Sequence, residues 1–196
     1  MPETAAGPAQ SMIFPTTIAT PRALLRAWCS DDAPRLRQTI DANLDYLLPW
    51  IPWARDEPTT VEQLRARLDG YATGFVNGSS WIYGIFSLDE SSILGGIGLY
   101  PRIGPGGVEI GYWIDRGHAG KGLATELARI LVDLAMTRDE ITHVELHCDP
   151  LNLPSAAIAR RLGFELIETR RDVGTTPSGA PRDLMIWRLL RSDFER

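Results

Sequence analysis

Leu36, Ile40, Leu44 and Leu47 recur at helical spacing behind Ser30 and Asp31, two residues able to cap a helix start. PWIPW at 49–53 ends that run, because Pro49 and Pro52 have no N–H to donate. Thr60 and Gln63 then stand at capping-box spacing before Val61, Leu64, Leu68 and Tyr71, which predicts a second helix. Ahead of both, ALLRAWC at 23–29 reads as a strand. WIYGIF at 81–86, ILGGIGLY at 93–100 and VEIGYWI at 108–114 are short β-rich runs separated by DESS and PRIGPGG, the pattern of a three-strand meander. The clearest helix follows GHAGKG: Leu123, Leu127, Ile130, Leu131 and Leu134 form an apolar stripe, with Thr125, Glu126, Arg129 and Asp133 largely on the other side.

HVELHC at 143–148 predicts a further strand, and Pro154 to Leu162 a short helix ended by Gly163. ELIETR and DLMIWRLL predict a closing strand pair, joined by a polar loop over 171–182 that reads as a mobile surface excursion. Residues 1–21 are rich in Pro, Ala and Thr without a period and read as a loose arm; 22–191 read as a single domain and 192–196 as a tail. A meander followed by strand, helix, strand, helix, strand predicts a mixed α/β (α+β) sheet with helices on both faces.

Composition narrows the function classes. With 196 residues, 44% hydrophobic and 23% charged, the chain suits one well-buried domain and excludes wholesale disorder. A net charge of -5 argues against direct nucleic-acid binding, which needs clustered Lys and Arg. No run approaches the roughly 18 apolar residues of a spanning helix, so no membrane partner is expected. The first twenty residues lack the charged start and apolar core of a signal peptide, and two cysteines make no disulfide framework, so a reducing cytoplasm is the expected location.

The chemistry concentrates in EIGYWIDRGHAGKGLATEL, 109–127, where a strand runs through a glycine-rich turn into a helix. A helix start presents unsatisfied N–H groups and a partial positive charge, and Gly120 and Gly122 admit a ligand without a Cβ in the way, so the segment predicts an anion site. The P-loop pattern fails, since Asp115 stands where its first Gly belongs and Gly122 follows Lys121. The dinucleotide pattern also fails, reaching Pro101 or Glu109 where its last Gly belongs. About thirty residues later, CDPLNLPSAAIARRLGFELIE repeats the strand-to-helix theme with Asn152 and Ser155 at the junction.

With PWIPW, EIGYWI, GKGLATE and N-x-x-S…LGF, the sequence resembles the GNAT acyltransferase superfamily, and within it the RimJ/RimL-type branch, over residues 22–191. The resemblance implies a central splayed sheet of about seven strands, with acetyl-CoA between strands 108–114 and 143–148 and its pyrophosphate on the 117–122 loop. The superfamily loop usually reads [QR]-x-x-G-x-G; here Gly117 takes the [QR] position, with Arg116 before it. Implied cofactor contacts are the backbones of Trp113 and Ile114 along the pantetheine arm, Gly117 and His118 in the loop, and the N–H groups of Gly120, Gly122, Leu123 and Ala124 around the pyrophosphate. Lys121 and Asn152 complete the set. Lys121, the only lysine among 20 basic residues, reads equally as a solvated loop residue.

The implied reaction is direct attack of a primary amine on an acetyl thioester in a ternary complex. A protein α-amine, with pKa near 7.7–8.0, is roughly a tenth or more free base at pH 7, whereas a lysine near 10.4 offers well under a thousandth. An N-terminal amine therefore demands less of a base, and the RimJ/RimL-type resemblance implies a protein N-terminal amine as the favoured acceptor. A small-molecule or antibiotic amine is the alternative acceptor, and a non-catalytic acyl-CoA sensor the alternative class. Glu109 is the candidate base, through a water, and His147 its reserve. Ser155 is the candidate acid at the leaving sulfur, with helix capping as its second reading. Trp50, Trp53, Trp81 and Tyr100 are candidates for the acceptor wall. His143, Glu145 and His147 alternate along one strand, where three ligands cannot converge on one ion, so no metal is expected. Cys148 lies on the opposite face and reads as a small buried hydrophobe. An edge strand or the arm offers a surface for a homodimer.

Overall fold

The computed structural model describes residues 14–175 and 181–194. The N-terminal segment forms β1 (Thr17–Ala19), antiparallel to β2 (Leu24–Ala27). Phe14, 2% exposed, stacks on Trp81 with ring centroids 4.4 Å apart. Residues 14–21 therefore do not form a loose arm: one large apolar anchor and a short edge ladder outweigh a proline-rich composition. The rest of that expectation, 1–13, lies outside the described residues.

α1 (Ala33–Leu47) begins after a short 3-10 turn, Ser30–Asp32. Neither Ser30 nor Asp31 caps it. The buried carboxylate of Asp32 instead accepts from the Cys29 N–H (3.1 Å), from Arg26 twice (2.8 Å each) and from Arg35 (3.0 Å), tying β2 to α1. The buried stripe of α1 runs through Leu36, Ile40, Asn43 and Leu47; Leu44 is only partly covered. α2 (Val61–Asn77) starts on the expected capping box, Thr60 Oγ1 accepting from Gln63 N–H (3.2 Å) and Gln63 Oε1 from Thr60 N–H (2.8 Å).

The meander forms as expected from β3 (Trp81–Phe86), β4 (Ile93–Tyr100) and β5 (Gly107–Ile114). α3 (Leu123–Met136) connects β5 to β6 (His143–Cys148), and these two strands are parallel. α4 (Leu153–Arg161) ends at Leu162 and Gly163, then β7 (Glu165–Thr175) and β8 (Pro181–Leu190) close the sheet ahead of a single turn, α5 (Arg191–Phe194). Strand order is β1-β2-β3-β4-β5-β6-β8-β7. There are eight strands among the described residues rather than about seven, because β1 comes from the segment read as an arm. The 171–182 excursion is also shorter than expected: 171–175 and 181–182 are strand, and 176–180 lie outside the described residues. Of the 192–196 tail, 192–194 are helical and 195–196 lie outside the described residues.

Helices cover both faces. Leu36, Ile40, Leu64 and Leu68 from α1 and α2 pack on Ile82, Phe86 and Ile93. Leu127, Leu131 and Ala135 of α3 and Ala156 and Ala159 of α4 pack on the other face against Tyr83, Ile97, Ile110, Val144 and Leu146. No helix among the described residues is long and apolar enough to cross a membrane.

Candidate active site

The site begins where the central ladder comes apart. β5 and β6 pair from Gly107 opposite His143 to Ile110 opposite Leu146 and no further. Past that point β5 stays with β4 as far as Ile114, while β6 stays with β8 as far as Cys148. Gly111–Ile114 thus present a strand edge to an open fork. Two cavities, of about 650 and 580 Å³, meet there, and Trp50, Ile51, Tyr112, Trp113, Asn152 and Ser155 line both.

The smaller cavity runs along the start of α3. Its loop is pinned from below by Asn43 of α1, whose Oδ1 accepts from the Arg116 N–H (2.7 Å) and whose Nδ2 donates to Asp115 Oδ1 (2.8 Å). His118 Nδ1 lies 2.8 Å from the other Asp115 oxygen. Burial acts to raise the Asp115 carboxyl, but the Asn43 and His118 contacts outweigh it and hold it below its ordinary value. Gly120 (φ +72°) and Gly122 (φ +80°) turn the chain into the helix through left-handed conformations that favour glycine. The first bond within the helix is Glu126 N–H to Gly122 O (3.1 Å), so the N–H groups of Leu123, Ala124 and Thr125 have no helical acceptor. An ideal Cβ at Gly120 would meet nothing within 4 Å, which leaves open space beside those donors. This cradle and the fork together fit the pyrophosphate and extended arm of acetyl-CoA.

Individual loop residues differ in what they face. His118, Gly120, Gly122, Leu123 and Ala124 line this cavity with Trp113 and Ile114, whereas Gly117 and Lys121 do not. Lys121 folds back, its Nζ donating to Gly117 O (2.6 Å) while Arg22 donates to Lys121 O (3.0 Å). Arg116 turns away to Asp45 (2.7 Å). The positive groups of the loop therefore brace it.

At the fork, Asn152 is the cap of α4: its Oδ1 accepts from the Ser155 N–H (3.3 Å). The Ser155 hydroxyl lies 3.0 Å from the Tyr112 hydroxyl and also meets the Cys148 thiol. Burial pushes the Tyr112 hydroxyl up, away from ionisation. Tyr112 is a site residue that the sequence did not single out, because Val108, Ile110 and Ile114 on its side of the strand read as core.

The larger cavity holds Glu109, His147 and an aromatic wall of Trp50, Trp53 and Tyr100. Trp53 meets Trp113 edge-on at 6.0 Å. Trp81 is not part of this wall: it is fully buried against Phe14 on the opposite face. Both Glu109 oxygens accept from Arg102, at 2.8 and 2.7 Å. His147 Nδ1 stands 3.6 Å from Glu109, and its Nε2 lies 2.7 Å from buried Glu145. Among the described residues no group of three or more His, Cys, Asp and Glu side chains is placed to hold a metal ion. Cys148 is 5% exposed, and burial pushes its thiol up, away from the thiolate a nucleophile requires. Cys148→Ala is expected to retain turnover at a stability cost of about 1 kcal/mol; steady-state kinetics on the folded variant checks it, and loss of turnover would point to a covalent acyl-enzyme.

Residues 22–165 match the family model described as Acetyltransferase (GNAT) domain. The chain belongs to the GNAT acetyltransferase family, whose members transfer the acetyl group of acetyl-CoA to an amine. It is 30% identical over 125 residues to the probable N-acetyltransferase YjcK of Bacillus subtilis (strain 168), covering 62% of this chain and 68% of that one. It is 27% identical over 151 residues to the [ribosomal protein uS5]-alanine N-acetyltransferase of Escherichia coli (strain K12), covering 76% and 77%. Its fold matches RimL, a ribosomal L7/L12 α-N-protein acetyltransferase solved with coenzyme A, at a TM-score of 0.81, 23% identity and coverage of 90% and 99%.

Proposed function

We propose that this acetyltransferase acts on the α-amine of a protein N-terminus, in the cytoplasm, with acetyl-CoA in the smaller cavity and the acceptor in the larger. The observation that carries the reading is the junction of the two cavities at the β5–β6 fork. It lets an extended arm enter from the α3 side and a chain end enter from the aromatic side without either crossing the core. The uS5-alanine specificity of the Escherichia coli relative supports an N-terminal acceptor.

Within this reading, the backbone of Trp113 and Ile114 pairs with the pantetheine arm. The donors at Gly120, Gly122, Leu123 and Ala124 take the pyrophosphate, and the Asn152 amide contacts the arm. Acetyl-CoA supplies an activated thioester. Ser155, held against Tyr112, offers a hydroxyl proton toward the leaving sulfur, and Glu109 and His147 line the acceptor cavity as groups able to accept a proton. Trp50, Trp53 and Tyr100 exclude water around the acceptor.

The test is calorimetric titration with acetyl-CoA, followed by transfer to a panel of N-terminal peptides, lysine side-chain peptides and small polyamines. Binding with transfer to N-terminal peptides is expected. Transfer confined to small amines would replace the acceptor class, and binding without transfer to anything would favour an acyl-CoA sensor.

A further inference from the structure

Glu109 and His147 have different surroundings in the acceptor cavity. Glu109 and Glu145 are register partners on β5 and β6, and Glu145 is in turn the register partner of Arg188 on β8. The outer members of this row are guanidinium groups: Arg102 engages both oxygens of Glu109, and Arg188 Nε donates to Glu145 Oε1 at 2.8 Å. His147 stands between the carboxylates, 84% covered, since its side chain is 16% exposed. Burial acts to raise the Glu145 carboxyl, but its contacts with His147 and Arg188 hold it below the ordinary value. It is thus a carboxylate that only accepts hydrogen bonds.

The 2.7 Å contact from Nε2 to Glu145 therefore places a proton on Nε2, and in the neutral ring it leaves the lone pair on Nδ1. That nitrogen is 3.6 Å from Glu109 Oε2, beyond hydrogen-bond distance, and both residues line the acceptor cavity. Glu109, with both oxygens tied to Arg102, stands as a fixed anion in the wall.

We propose that His147 is the catalytic base of the acetyl transfer, with Glu145 the positioning residue that fixes its Nε2–H tautomer and Glu109 the anion that orients the acceptor amine toward Nδ1. The assignment rests on the acetyltransferase reading of the cavity. As the C–N bond forms from a neutral amine and the C–S bond breaks, one N–H proton of the amine passes to Nδ1 and the thiolate leaves with the electron pair. Arg102 and Arg188 already balance the two carboxylates, so the imidazolium adds one positive charge to the row and is flanked by an anion on each side. Asp149 and Arg182, 3.5 Å apart, line the same cavity, as do Arg55 and Arg67.

Nitrogen-15 NMR of the ligand-free enzyme reads the tautomer without turnover, and with only three histidines in the chain each signal is assigned by single substitution. The neutral His147 ring is expected to carry its proton on Nε2, and to lose that preference in Glu145→Gln; a proton on Nδ1 would overturn the proposal. In kinetics, His147→Gln is expected to lower kcat by about 10²–10⁴-fold with acetyl-CoA affinity unchanged, and His147→Ala to regain part of that rate with added imidazole. Glu109→Gln is expected chiefly to raise KM for the acceptor. Normal kcat in His147→Gln with kcat lost in Glu109→Gln would return the base to Glu109. A wild type inactive on every acceptor would overturn the transfer reading, and the base assignment with it.

Discussion

Gly120→Val is expected to weaken acetyl-CoA binding by about 100-fold or more while leaving the protein folded. Gly120 sits at φ +72°, where a side-chain-bearing residue pays roughly 1–2 kcal/mol, and nothing lies within 4 Å of the added Cβ, so the folded chain has room for it. The damage falls on the ligand instead. A branched side chain at the edge of the cavity occupies the space through which a phosphate oxygen must approach the free N–H groups of Leu123 and Ala124 to about 2.9 Å. Each hydrogen bond to a charged group is worth about 1.5–3 kcal/mol, so losing one or two accounts for the factor. Calorimetry reads the affinity and a thermal melt reads the fold. Unchanged affinity would move the pyrophosphate to another part of the molecule.

Glu57→Ala is expected to cost about 3–5 kcal/mol and to raise KM for the acceptor but not for acetyl-CoA. The Glu57 side chain has no exposed surface; it holds Arg37, accepts from Arg67 at 2.9 Å, and takes the Thr59 N–H at 2.7 Å. Removing the carboxylate takes away the anion that Arg37 and Arg67 share and leaves Arg37 with Asp41, at 2.6 Å. Arg67 also lies over the ring of Trp53, 5.9 Å from its centroid, so the loss is expected to loosen one wall of the larger cavity, the proposed acceptor site. Burial works to raise the Glu57 carboxyl, but the bonds from Arg37, Thr59 and Arg67 pull it down from 4.5 to about 2. A folded value below the unfolded one means that the stabilisation is complete above about pH 4.5 and is lost as pH falls toward 2. Glu57→Gln should therefore flatten the acid limb of melting temperature against pH. Asp32, also held at about 2 through Arg26 and Cys29 despite its burial, contributes a second such limb.

Periodicity in the sequence located α1, α2, α3 and α4 by their apolar stripes, and short β-rich runs bounded by turn residues located the meander and β6. It did not settle the facing of WIYGIF, in which all six residues are buried and no polar residue marks a side. On the sequence alone, Trp81 therefore fits either side of the sheet. The outer parts of β7 fail for the opposite reason: nearly every residue is exposed, so there is no alternation to read. Asn43 was legible in principle, as a polar residue three beyond Ile40 and four before Leu47 on a buried stripe, which signals a hydrogen-bonding duty. The Arg102–Glu109 and Glu145–Arg188 pairs were not legible, since they depend on strand register across the sheet rather than on spacing along the chain.

Trp50, Ile51, Tyr112, Trp113, Asn152 and Ser155 line both cavities, so under the proposed placement of donor and acceptor they would tie two selectivities together. Trimming Tyr112 or Trp113 would enlarge both cavities, and bulk added there would shorten both. With donor and acceptor placed as proposed, a substitution that changes donor chain length is expected to change acceptor choice as well.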